Sequence, residues 1–119
     1  MQSVWRAVAR RGAHVASVVL CVASAQIRAE AGDVKAGREK AEKCAVCHGL
    51  DGLAKIAEAP NLAGQNEQYL IAQLSAFKAG DRKNEMMSIV IQQLSTDDIE
   101  NLAAYYAAIE ISVGKIPGG

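Results

Sequence analysis

The sequence predicts an all-α domain built on three main helices. Three observations point there. Apolar residues recur at helical spacing in three separate stretches, no convincing strand with a partner exists, and Gly49, Gly52, Pro60 and Gly64 punctuate the connection between the first two stretches. At 119 residues the chain is long enough for one domain and no more. Half of its residues are apolar and 22% are charged, an ordinary globular balance with a formal net charge of zero. Nothing in that balance suits a nucleic-acid binder.

The opening differs from the rest. MQSVWRAVARRGAH carries Arg6, Arg10 and Arg11 and no acid, and VASVVLCVASA (15–25) is an unbroken run of apolar and small residues. That run is too short to span a bilayer but suits the core of a secretory signal. Residues 1–31 are therefore expected to be a signal peptide, cleaved after Ala25 or Ala31, with residues 32–119 forming the mature domain. The competing reading is a membrane anchor or a retained N-terminal helix. From residue 32 onward nine Lys and Arg face twelve Asp and Glu, so the mature chain is mildly acidic. It has no second long apolar run, hence no expected membrane span.

The first helix is expected over DVKAGREKAEKCAVCH. Val34, Gly37, Ala41 and Cys44 fall on one face, and Asp33 is its cap. The second lies in NEQYLIAQLSAFKAG, capped by Asn66, striped by Tyr69, Leu70, Gln73, Leu74 and Phe77, and closed by Gly80. The third lies in STDDIENLAAYYAAIE. Ser95 or Thr96 caps it, Asp97 and Asp98 sit at its positive end, and Ile99, Leu102, Ala103, Tyr106 and Ile109 line one face. Between the last two, SIVIQQL resembles a strand in composition, but a lone strand has nothing to pair with. An irregular segment or a helical turn is expected there.

CAVCHG, residues 44–49, holds the only two cysteines after Cys21 and the only histidine after His14. A thioredoxin-like CxxC belongs near βαβ structure, which the helical pattern does not supply. Structural zinc and iron–sulfur clusters need four ligands, and only Cys44, Cys47 and His48 remain in the mature chain. A structural disulfide closing so small a ring would remove little chain entropy. Covalent haem attachment, whose signature is CxxCH, remains. Thiols at i and i+3 leave one helical turn and can add to the two vinyl groups of one porphyrin. The next residue, His48, then offers the iron a nitrogen ligand. A buried macrocycle also answers the shortage of aromatics, which make up 4% of the chain. A domain this small gains much from such a staple. A sixth ligand would come from Met86 or Met87, the two mature thioethers, although an isolated Met is more often core filler.

From Gly32 to about Ile111 the chain resembles the small class I c-type cytochromes of bacteria, and most of all one domain of the dihaem periplasmic cytochromes. The resemblance rests on GDVKAGREKAEKCAVCHGLDG, PNLAGQNEQYLIAQLSAFKAGDRKN and MSIVIQQLSTDDIENLAAYYA. It implies a cytochrome c fold, with three main helices around one covalently attached haem c. The family pattern Arg-x-Asn-x-x-Met-Ser maps onto Arg82, Asn84, Met87 and Ser88. It implies Met87 as the axial ligand opposite His48. Pro60 matches the family proline whose carbonyl accepts a hydrogen bond from the ligand histidine. Gly37 matches a glycine where the first and last helices cross, with Tyr105 or Tyr106 packed over it. The mature chain has no Trp, so no aromatic partner for the haem propionates is assigned. Arg82 or Tyr69 could serve there, or could be a surface charge and a core residue.

The function this implies is electron transfer in the periplasm. An iron held by His48 and Met87 has no open position, so no enzymatic activity is expected. Transient redox partners would dock around Ala45, Gly49 and the Met87 loop, without a strong lysine ring to steer them. The alternative is a cytochrome subunit of a larger redox enzyme, such as a flavoprotein sulfide dehydrogenase.

Overall fold

Asp33 starts the first element of the computed structural model, which describes residues 32–118. The expected signal peptide and its cleavage sites lie outside the described residues. The Asp33 carboxylate accepts from the backbone N–H of Lys35 and Ala36, at 2.8 and 3.1 Å, and so caps helix α1 (Val34–Ala41). Gly37 and Ala41 of the expected stripe are buried, whereas Val34 is 46% exposed. The helix does not run on to His48 as expected. It ends at Ala41, and tighter i→i+3 bonds take over, from Lys43 N–H to the Lys40 carbonyl and from Cys44 N–H to the Ala41 carbonyl. A separate single turn, α2 (Ala45–His48), follows.

Helix α3 (Glu67–Ala79) begins where the Asn66 side chain accepts from Tyr69 N–H at 2.9 Å. It ends at Gly80, whose φ of 83° lets the chain leave in the left-handed region. Leu70 and Phe77 are buried. Tyr69, expected on the buried stripe, is half exposed, because the face turned inward is centred on Leu70 and Phe77. SIVIQQL is helical: α4 (Met87–Val90) passes into a 3₁₀ turn, Ile91–Gln93. Helix α5 (Thr96–Ala107) opens with a reciprocal cap. Ser95 Oγ accepts from Asp98 N–H and the Asp98 carboxylate accepts from Ser95 N–H.

The core lies where α5 crosses α1 and packs on α3. At the crossing, a Cβ on Gly37 would lie 2.0 Å from the Asn101 carbonyl oxygen and 2.8 Å from Tyr105 Cβ. Only glycine allows that approach. Asp33 N–H donates to Asn101 Oδ1 at 2.6 Å, and Lys40 pairs with Asp98 at 2.9 Å, so both ends of α1 are tied to α5. Ala41, Leu70, Phe77, Ile91, Leu94, Ile99, Leu102, Ala103 and Tyr106 form one buried cluster. Around it sits a half-buried apolar rim that includes Cys44, Leu50, Leu62, Leu74 and Met87. Among the described residues there is no strand, and no helix is long and apolar enough to cross a membrane.

Candidate haem-binding site

The turn α2 places its side chains by ordinary helix geometry. His48 N–H donates to the Cys44 carbonyl at 2.9 Å, so the first thiol and the imidazole lie one turn apart with Cys47 between them. Cys44 and Cys47 are half-buried and not joined to each other. Burial, then the neighbouring Cys47, pushes the Cys44 thiol above its ordinary range.

His48 is 8% exposed, and its Nδ1–H donates to the Pro60 carbonyl at 2.9 Å. Because a carbonyl can only accept, that bond puts a proton on Nδ1, and in the neutral ring the lone pair is then on Nε2. A neutral imidazole with one free nitrogen is the form a metal requires. The loop from residue 49 to 66 carries Pro60 to this position. Gly52, at φ 69°, lets it fold back, so that Leu62 and Ala63 N–H donate to the Gly52 carbonyl. Lys55 N–H donates to the Cys47 carbonyl at 2.8 Å, and Ala54 N–H to Asn61 Oδ1 at 2.8 Å.

Two hydroxyls from α5 close the other side. Tyr106 donates to the Gly49 carbonyl at 3.2 Å and Tyr105 to the Leu50 carbonyl at 2.6 Å. Burial raises the Tyr106 hydroxyl well above the ordinary phenol range, so it remains a donor. Tyr105 also packs at Gly37, as the resemblance implies. Sequence reasoning assigned these rings a packing role and missed their hydrogen bonds. Gly49, expected on the docking surface, is buried beneath this contact.

On the methionine side, Met87 is half-buried and packs on the core, while Met86 is 62% exposed. Both methionines belong to a helical turn and not to an extended segment, and neighbours on such a turn point about 100° apart. Asn84 Oδ1 accepts from the N–H of Met86 and Met87, and Asn84 N–H donates to Ser88 Oγ. The spacing from Asn84 to Ser88 was the available signal for this cap, and sequence reasoning did not use it. Arg82 is taken up by α3, its guanidinium 4.5 Å from the Phe77 ring centre and hydrogen-bonded to Gln73.

Two thiols, a histidine held in its ligating tautomer and an apolar rim on an all-α scaffold define a haem-attaching domain. The donor set and the exposed apolar lining fit that group. Residues 34–108 match the family model described as cytochrome c, and the chain belongs to that family. Covalently bound haem c is the family's cofactor. The chain is 39% identical over 98 residues to cytochrome c4 from Pseudomonas aeruginosa, covering 82% of this chain and 49% of that one. Cytochrome c-554(548) from Halomonas halodenitrificans is 41% identical over 83 residues, 67% of this chain and 100% of the relative. The crystal structure of reduced recombinant cytochrome c4 from Pseudomonas stutzeri superposes with a TM-score of 0.65 at 41% identity, over 71% of this chain and 49% of that one. The chain thus spans about half the length of the cytochrome c4 proteins it matches and the whole of the shorter cytochrome.

Proposed function

We propose that this chain is an exported, single-haem electron carrier of the bacterial periplasm. Cys44 and Cys47 hold the haem by thioethers, and His48 and Met87 ligate its iron. The observation that carries this reading is the His48–Pro60 hydrogen bond within the Cys44–His48 turn. When bound, the haem supplies a one-electron couple. The protein's part is to orient and to exclude water. Pro60 fixes the orientation of the His48 ring. The Leu50, Leu62 and Leu74 side chains keep the site apolar. A soft thioether from Met87 favours the reduced metal, so the potential lies above that of a bis-histidine site. With His48 and Met87 both holding the iron, the protein would carry electrons between transient redox partners and convert no substrate.

Absorption spectra of the oxidised and reduced protein test this. We expect haem that resists acid–acetone extraction, and a weak long-wavelength ferric band from methionine sulfur that Met87→Ala abolishes. Carbon monoxide binding to the reduced wild-type protein would refute the closed iron. A stable complex with an enzyme on purification would favour the subunit reading instead.

A further inference from the structure

Packing alone does not set the methionine segment, in which Met87 is only half-buried against the core. Residues 81–86 are all exposed, and Ile89, just beyond Met87, is 66% exposed. The segment is anchored near its two ends. At one end Arg82 N–H donates to the Ala76 carbonyl and its guanidinium lies on Phe77. At the other, Ile91 is fully buried, and Lys78 Nζ donates to the Leu94 carbonyl. Between these anchors the chain is held by its own hydrogen bonds, and they converge on one residue.

Asn84 makes four of them with the three residues that bracket the ligand position. Its Oδ1 accepts from Met86 N–H at 3.1 Å and Met87 N–H at 3.0 Å. Its N–H donates to Ser88 Oγ at 3.1 Å, and its carbonyl accepts from Ser88 N–H at 2.9 Å. This is a reciprocal cap on a turn too short to form unaided. It fixes the rotation of the turn, and rotation decides which of two chemically identical neighbours faces inward. Met87 lies against the core; Met86 points to solvent.

We propose that the Asn84–Ser88 cap is the device that selects Met87 over Met86 as iron ligand, with Asn84 as positioning residue. The inference rests on the functional reading above, which makes Met87 the ligand. Loosening the cap frees the turn to rotate, so the thioether leaves the iron more often and Met86 competes for it.

The test uses ferric holoprotein and follows the long-wavelength methionine band while imidazole is titrated in as a competing ligand. In Asn84→Ala, imidazole should bind about tenfold more tightly, within the range that a lost helix cap spans. Adding Met86→Leu to Asn84→Ala should lower the residual band further, because the competitor is gone. Asn84→Asp, which keeps an acceptor at the cap, should restore wild-type affinity. Global unfolding by denaturant is measured in parallel, since a merely structural residue would move that midpoint and leave imidazole affinity alone. Unchanged affinity in Asn84→Ala, or failure of Asn84→Asp to restore it, overturns the inference. A band that survives Met87→Ala shows instead that the ligand assignment itself is wrong, and the inference falls with it.

Discussion

The two sides of the candidate site are held in opposite ways. On the histidine side the local turn is pinned from far along the chain: Pro60 is twelve residues from His48, and the Tyr105 and Tyr106 hydroxyls reach back 55 and 57 residues. On the methionine side the anchors lie at the ends of the segment, and the bonds that cap the Met87 turn itself span four residues or fewer, from Asn84 to Ser88. Damage to the first side is therefore shared by the whole fold, whereas damage to the second stays local. On the proposed reading this division would suit a carrier, because the histidine is fixed as firmly as the core and the methionine can be adjusted without unfolding it.

The strongest challenge to the histidine side is Gly37→Ala. Its new methyl group meets the Asn101 carbonyl at 2.0 Å, and neither backbone can yield cheaply. We expect a loss of at least about 3 kcal/mol, measured as a denaturant midpoint, above the usual range for overpacking. Next is Ile91→Ala, which empties the largest fully buried side chain and undermines the anchor behind α4. A loss of about 3 kcal/mol is expected. Being an anchor and not a cap, it should lower the unfolding midpoint and raise imidazole affinity together, unlike Asn84→Ala.

Tyr106→Phe removes a hydroxyl and leaves the Gly49 carbonyl, itself in a buried stretch, without that donor. The expected cost is about 1–2 kcal/mol, with the methionine band unchanged. Smallest is Asp98→Asn, expected at under about 1 kcal/mol near neutral pH because the Lys40 pair is partly exposed. Here pH gives the sharper measurement. The Ser95 N–H, and then Lys40, hold the Asp98 carboxyl below its ordinary value of 3.8. A depressed folded-state pKa means that the stabilisation is present above 3.8 and is lost as pH falls through the lower folded-state value. Stability curves of wild type and Asp98→Asn should therefore converge in acid; curves that stay parallel would remove Asp98 from the account.

The elements best readable from sequence were those with local causes. Asn66, Gly80, Ser95 and Asp33 each act within a few residues, and all four act as expected. Cys44, Cys47 and His48 were readable for the same reason, since one turn brings them together. The expected run of α1 through His48 failed because periodicity does not distinguish an α-helix from a chain that tightens to i→i+3 bonds for one turn. Tyr69 failed because one residue on a helix is 100° of rotation, enough to move a ring from core to solvent. The bonds from Tyr105 and Tyr106 to Leu50 and Gly49 have no local signature at all. The assignment of Pro60 came from resemblance, because no periodicity marks which loop carbonyl will meet an imidazole twelve residues away.

The contact of Gly37 with Asn101 also sets an order of events. Helix α1 has eight residues, too few to persist alone in water, and its partner lies 64 residues later in the chain by number. A growing chain can make no lasting α1 until α5 exists to receive it, and closing so long a loop is entropically unfavourable until the contact rewards it. Until α5 docks, the end of the Cys44–His48 turn also lacks the Tyr105 and Tyr106 hydrogen bonds to Leu50 and Gly49. If haem is joined at this turn, as proposed, the helix crossing would act as a clock that leaves the turn reachable until the last helix docks.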